Sequence, residues 1–125
     1  MWTKGRWPLK LSEAIRLGAM MKPHIRGRLY DGVGTCALGA ALDAIAANPD
    51  DGAAYMLSSF PLLGRAAVHP ITGDRWVSLY GAIADLNDCH GWTRECIADW
   101  VEQIELQQAA ETNQPATSEA QRAAR

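Results

Sequence analysis

Apolar positions recur along this chain mainly at helical intervals, and the breaks between them coincide with proline and glycine. Leu11, Ile15, Gly18, Ala19 and Lys22 follow one helical line, with Ser12 placed to cap its start and Pro23 to stop it near Lys22. HIRGRLYDGVG (24–34) carries three glycines and reads as a loop with a short strand around 28–30. Thr35 then caps CALGAALDAIA, whose small Ala and Gly positions allow a neighbour close while Leu38, Leu42 and Ile45 supply apolar contact; this is the expected buried central helix, ended by NPDDG at 48–52. A shorter helix is expected over Gly52–Ser59, stopped by Phe60-Pro61, and 61–74 reads as irregular. Trp76, Tyr80, Ile83 and Asn87 define a helix from Arg75 to Asn87, and Ile97, Trp100, Val101 and Ile104 define a last one from Arg94 to Gln108.

The pattern predicts an all-α fold, a small single-domain bundle of four to five helices over 11–109. A basic extended arm (1–10) precedes it and a disordered C-terminal tail (110–125) follows. At 125 residues, 48% hydrophobic and 21% charged, the chain suits one domain with a real core. It holds no apolar run of about 18 residues, and no apolar signal core follows MWTKGRWPLK, so neither a membrane span nor a secretory leader is expected. Three cysteines (Cys36, Cys89, Cys96) are too few for a disulfide scaffold and predict reduced thiols in the cytoplasm.

Charge changes the picture at one end. The net charge is −2, yet residues 1–28 carry seven Lys or Arg and a single acid, Glu13. Such a split fits a nucleic-acid arm formed by Lys4, Arg6, Trp7, Lys10, Arg26 and Arg28, in which cations and tryptophans alternate as in a single-strand stacking groove. It fits equally a basic segment lying on its own acidic domain.

LNDCHGWTREC (86–96) concentrates two cysteines, a histidine, acids and a tryptophan. Counted from Asp85 it has the length of a calcium loop, but Cys89, His90 and Cys96 occupy positions that need oxygen ligands or glycine. Cys89, His90 and Cys96 are an alternative zinc set, with Cys36 and His69 able to approach in space, although adjacent Cys-His is not a finger spacing. A plain corner between helices accounts for more of the residues: Gly91 ends one helix, Thr93 caps the next, Glu95 sits at its positive end and Trp92 packs across. Asn87, Asp88, His90, Trp92 and Arg94 are then the candidate partner-binding residues.

Gly34-TCAL-Gly39 has P-loop glycine spacing but continues with Ala40-Ala41 where Lys and Ser or Thr are required, which excludes that nucleotide site. Cys36 at a helix start is an alternative nucleophile if a histidine, with His90 the candidate beside His24 and His69, stands next to it. The last helix carries Glu95, Asp99, Glu102 and Glu105 and would be repelled by phosphates, so the corner is not a DNA-reading helix-turn-helix.

LSEAIRLGA (11–19), TCALGAALDAI (35–45) and LNDCHGWTRECIADWV (86–101) together resemble a family of short, uncharacterised bacterial and phage proteins that pairs a CALGA helix with an ND…WTRE…ADW hairpin. The resemblance implies a bacterial or phage origin and the pairing of those helical blocks, and it implies no mechanism. The expected function is therefore a small non-enzymatic helical interaction protein that binds another protein, with no cofactor. The alternatives are the Cys36–His90 or Cys89–His90–Cys96 site and nucleic-acid binding through the N-terminal segment. Nothing in the sequence fixes the oligomeric state, and a homodimer remains open.

Overall fold

A computed structural model describes residues 9–46 and 52–113, with the backbone alone at 52–54 and 112–113. The described residues are mostly helical: α1 (Leu11–Ala19), α2 (Ala37–Ala44), α3 (Gly52–Ser59), a 3-10 turn (Pro61–Gly64), β1 (Ala67–Val68), β2 (Arg75–Trp76), α4 (Leu79–Asp88) and α5 (Arg94–Asn113). β1 and β2 form a small antiparallel ribbon with Ala67 opposite Trp76 and Val68 opposite Arg75. No helix is long and apolar enough to cross a membrane.

The core gathers one stripe from each helix: Leu11 and Ile15 from α1, Leu38 and Leu42 from α2, Met56 from α3, Leu79, Ile83 and Leu86 from α4, and Ile97 and Val101 from α5. Each such side chain removed from water contributes on the order of 1.5–3 kcal/mol. α2 is buried on nearly every side, as its small residues predict, and α1 packs chiefly on α2 and α5. The α1–α2 crossing depends on Gly18, where a Cβ would lie 1.7 Å from the Ala40 carbonyl oxygen.

Several expected boundaries move, two of them because a hydroxyl has another partner. Ser12 does not cap α1. The cap position is Lys10, and Ser12 is buried, with its hydroxyl and N–H both donated to the Glu105 carboxylate of α5. Thr35 does not cap α2; the cap is Cys36, whose Sγ accepts from Gly39 N–H at 3.4 Å, while Thr35 is buried against Arg94. α1 ends at Ala19 rather than Lys22, the chain already turning at Met20 and Met21 ahead of Pro23. Around 28–30 there is only an isolated bridge from Tyr30 to Thr35, not a strand. α4 begins at Leu79, not Arg75: Arg75 and Trp76 are strand, and Ser78 is the cap, accepting from Gly81 N–H at 3.2 Å. α5 runs on to Asn113, so 110–113 of the expected tail are helical. Its remainder, the arm at 1–8 and the expected break at 48–51 lie outside the described residues.

Candidate functional site

The corner between α4 and α5 is built locally as its sequence predicts. Gly91 takes a φ of 68°, the Trp92 N–H returns to the Leu86 carbonyl at 3.0 Å, and Thr93 Oγ1 accepts from Cys96 N–H at 3.1 Å. Two of its polar side chains, Asn87 and Arg94, turn inward. Asn87 is 1% exposed and uses its whole amide: Oδ1 accepts from His24 Nε2 (2.6 Å) and Ala37 N–H (3.2 Å), and Nδ2 donates to Ile25 O (3.0 Å) and Asp88 Oδ1 (2.8 Å). Asp88 also accepts from Gly27 N–H. Asn87 and Asp88 thus clamp the loop that leads from α1 to α2.

Arg94 is 6% exposed and clamps the same loop from the other side. It donates to Ala19 O and Thr35 Oγ1 (3.2 Å each) and more weakly to Pro23 O (3.4 Å) and Thr35 O (3.5 Å). No carboxylate faces it among the described residues, and its buried Nε has no partner. The carbonyl end of α1, where the helix dipole is negative, supplies part of the missing counter-charge. Of the five candidate binding residues, Asn87 and Arg94 therefore face their own loop. Asp88 and His90 are at the surface, and Trp92 is half-buried against the core.

Beside this hub lies a cluster that the sequence shows only in fragments. His69 is fully buried, and its Nε2 is 2.8 Å from Asp85 Oδ2; His90 Nε2 lies 3.0 Å from the same oxygen. The three ligating atoms fall within 4.8 Å of one another, a spacing that would suit a metal. The proton pattern does not. His69 Nδ1 accepts the N–H groups of Ile71 and Thr72, both at 3.2 Å. Its lone pair is therefore on Nδ1 and its proton on Nε2, pointing at Asp85, whereas a ligating histidine needs a bare nitrogen toward the metal and an N–H behind. The cluster reads instead as a buried histidine and Asp85 tying the turn after β1 to α4. Burial works to raise the Asp85 pKa, but hydrogen bonds from Cys89 and His69 and the nearby imidazoles outweigh it and hold the carboxyl below its ordinary range.

The cysteine alternatives are not assembled. Cys36 is buried, forms no hydrogen bond to a histidine among the described residues, and burial pushes its thiol pKa up in spite of the helix N–H groups around it. His90 is engaged by Asp85 instead. Cys96 is exposed on the first turn of α5, beyond Gly91 and Thr93, and does not join Cys89 and His90 at ligand spacing. The exposed Cys89 thiol is also held above its usual pKa, first by its hydrogen bond to Asp85, which is the reverse of an activated thiolate.

The basic segment lies in part on its own domain. Arg16 meets Asp99 (2.7 Å) and Glu102 (2.6 Å) of α5, and Lys22 meets Asp43 (2.6 Å) of α2. Of the candidate nucleic-acid residues, Lys10, Arg26 and Arg28 are exposed, while Lys4, Arg6 and Trp7 lie outside the described residues.

A further open site was not among the sequence candidates. A groove of about 580 Å³ runs between β1 and α5, floored by Leu62, Leu79, Trp100 and Ile104. Arg65 and Arg75 line it and form no ion pair among the described residues. One signal was present: these are the sole cations between Arg28 and Arg94, and they bracket the irregular stretch.

No family model, curated protein or solved structure matches this chain.

Proposed function

We propose that this chain is a small helical interaction domain that binds another protein, and that the groove between β1 and α5 is where it does so. The observation that carries the reading is the groove itself: Leu62, Leu79, Trp100 and Ile104 left open beside Arg65 and Arg75, which form no ion pair among the described residues, with Gln103, Gln107, Gln108 and Glu111 along the α5 wall. Concave surfaces that combine apolar side chains with polar ones are where ligands and partner segments seat. The helices are read as an all-α bundle that serves as scaffold, with the ribbon inserted to form one wall. The sequence resemblance supports a bacterial or phage origin, and three free cysteines support a reducing compartment, the cytoplasm.

Site-specific photo-crosslinking tests it. A crosslinking residue at Gln107, on the α5 wall, should capture one discrete protein in the cell that carries the gene, and the same residue at Glu95, at the far end of α5, should not. Capture of the same protein from both positions, or from neither, would remove the groove as the binding site.

A further inference from the structure

We propose that the groove takes an extended peptide segment of the partner in which acidic and apolar side chains alternate. The inference rests on the protein-binding reading and names the occupant of its groove. It starts from the open edge of β1. The His69 N–H donates to the Asp74 carbonyl at 2.8 Å, which makes 69 and 74 a hydrogen-bonded pair of the antiparallel ladder. Bonded and unbonded pairs alternate, so Val68, opposite Arg75, turns its N–H and C=O away from β2. Among the described residues no further strand pairs with that side. A two-residue edge with a free N–H and C=O is a template for strand addition, in which the added backbone supplies affinity and alternate side chains supply selectivity.

Selectivity follows from what lines the groove. An added strand directs every second side chain to one face. One set would meet Leu62, Leu79, Trp100 and Ile104 and favours apolar residues. Arg65, two residues before β1, and Arg75, across from Val68, lie toward opposite ends of the two-strand ribbon. Neither forms an ion pair among the described residues, unlike Arg16 and Lys22. Guanidinium groups pair well with carboxylates, in a two-pronged geometry. A nucleic acid fits less well. It has no amide backbone to continue β1.

The probe is a fluorescein-labelled decapeptide alternating glutamate with leucine, titrated with the full chain and followed by anisotropy. Counterparts carry glutamine or lysine in place of glutamate, and a labelled single-stranded dodecanucleotide is run beside them. The glutamate peptide should bind, with the glutamine peptide about tenfold weaker and the lysine peptide weaker still. Arg65→Glu with Arg75→Glu should remove the preference for glutamate, and Arg65→Gln with Arg75→Gln serves if the reversed pair fails to fold. Val68→Pro, which deletes the outward N–H, should weaken every peptide alike. Equal binding of glutamate and glutamine peptides, lost on Val68→Pro, would overturn the acidic occupant and leave the protein-binding groove standing. Absence of binding by all peptides, or tighter binding of the oligonucleotide, would overturn both.

Discussion

The corner at residues 85–94 and the groove beside β1 are both rich in polar side chains, and they use them in opposite ways. At the corner the strong groups are engaged from within: Asn87 makes four hydrogen bonds, Asp85 gathers His69, His90 and Cys89, and Arg94 holds three carbonyls and a hydroxyl with only its Nε unpartnered among the described residues. In the groove, Arg65 and Arg75 form no ion pair among the described residues and lie beside Leu62, Leu79, Trp100 and Ile104. The corner is the more conspicuous stretch of sequence, with its cysteines, histidine and tryptophan, yet its chemistry holds a loop in place. The lesson is that clustered functional groups mark a site only when the fold leaves them something to do.

Four substitutions sharpen this contrast, in order of falling effect on stability. Asn87→Ala removes a buried amide and strands four partners, and should cost about 3 kcal/mol, about 10 °C in Tm. Arg94→Met should cost less, about 2 kcal/mol, because methionine also relieves the burial of a guanidinium that has no carboxylate and an unpartnered Nε. Urea unfolding of both variants checks the order; an Arg94→Met effect larger than that of Asn87→Ala would show that the carbonyl cage is worth more than its long distances imply.

Asp85→Asn should cost about 1 kcal/mol at neutral pH, with a pH signature. The Asp85 carboxyl is held below its unfolded pKa, so its stabilising contribution is complete above that value and is lost as pH falls through the lower, folded one. The gap in urea midpoint between wild type and Asp85→Asn should therefore close below about pH 4. A gap independent of pH would assign the effect to packing. Smallest of all, Arg65→Glu with Arg75→Glu should change stability by less than about 0.5 kcal/mol, as expected of exposed residues that form no ion pair among the described residues. A large loss there would erase the distinction between the two regions.

How much of this was legible depends on the range of the interactions. The α4–α5 corner can be read from sequence because Gly91 and Thr93 act on neighbours a few residues away. The α2 core can be read because small residues recur along it. The caps at Ser12 and Thr35 cannot, since their hydroxyls are taken by Glu105 and Arg94, 93 and 59 residues distant. The early start expected for α4 arises because Trp76 falls in helical phase with Tyr80 and Ile83, while the signal that prevails is Ser78, which caps the helix two residues later. His69 and Asp85 stand 16 residues apart and meet only when the ribbon folds back on α4. The groove escaped notice for a related reason: Arg65, Arg75 and Trp100 belong to three separate segments, and none of them forms a motif by itself.

The most direct measurement is a ¹H–¹⁵N NMR titration of the full chain with the unlabelled glutamate–leucine decapeptide. The account predicts that shifts concentrate at Arg65–Val68, at Arg75 and along α5 from Trp100, whose indole N–H gives a separate signal, while Asn87, Asp88 and Arg94 stay still. Shifts centred on the corner and absent from β1 and Trp100 would contradict it.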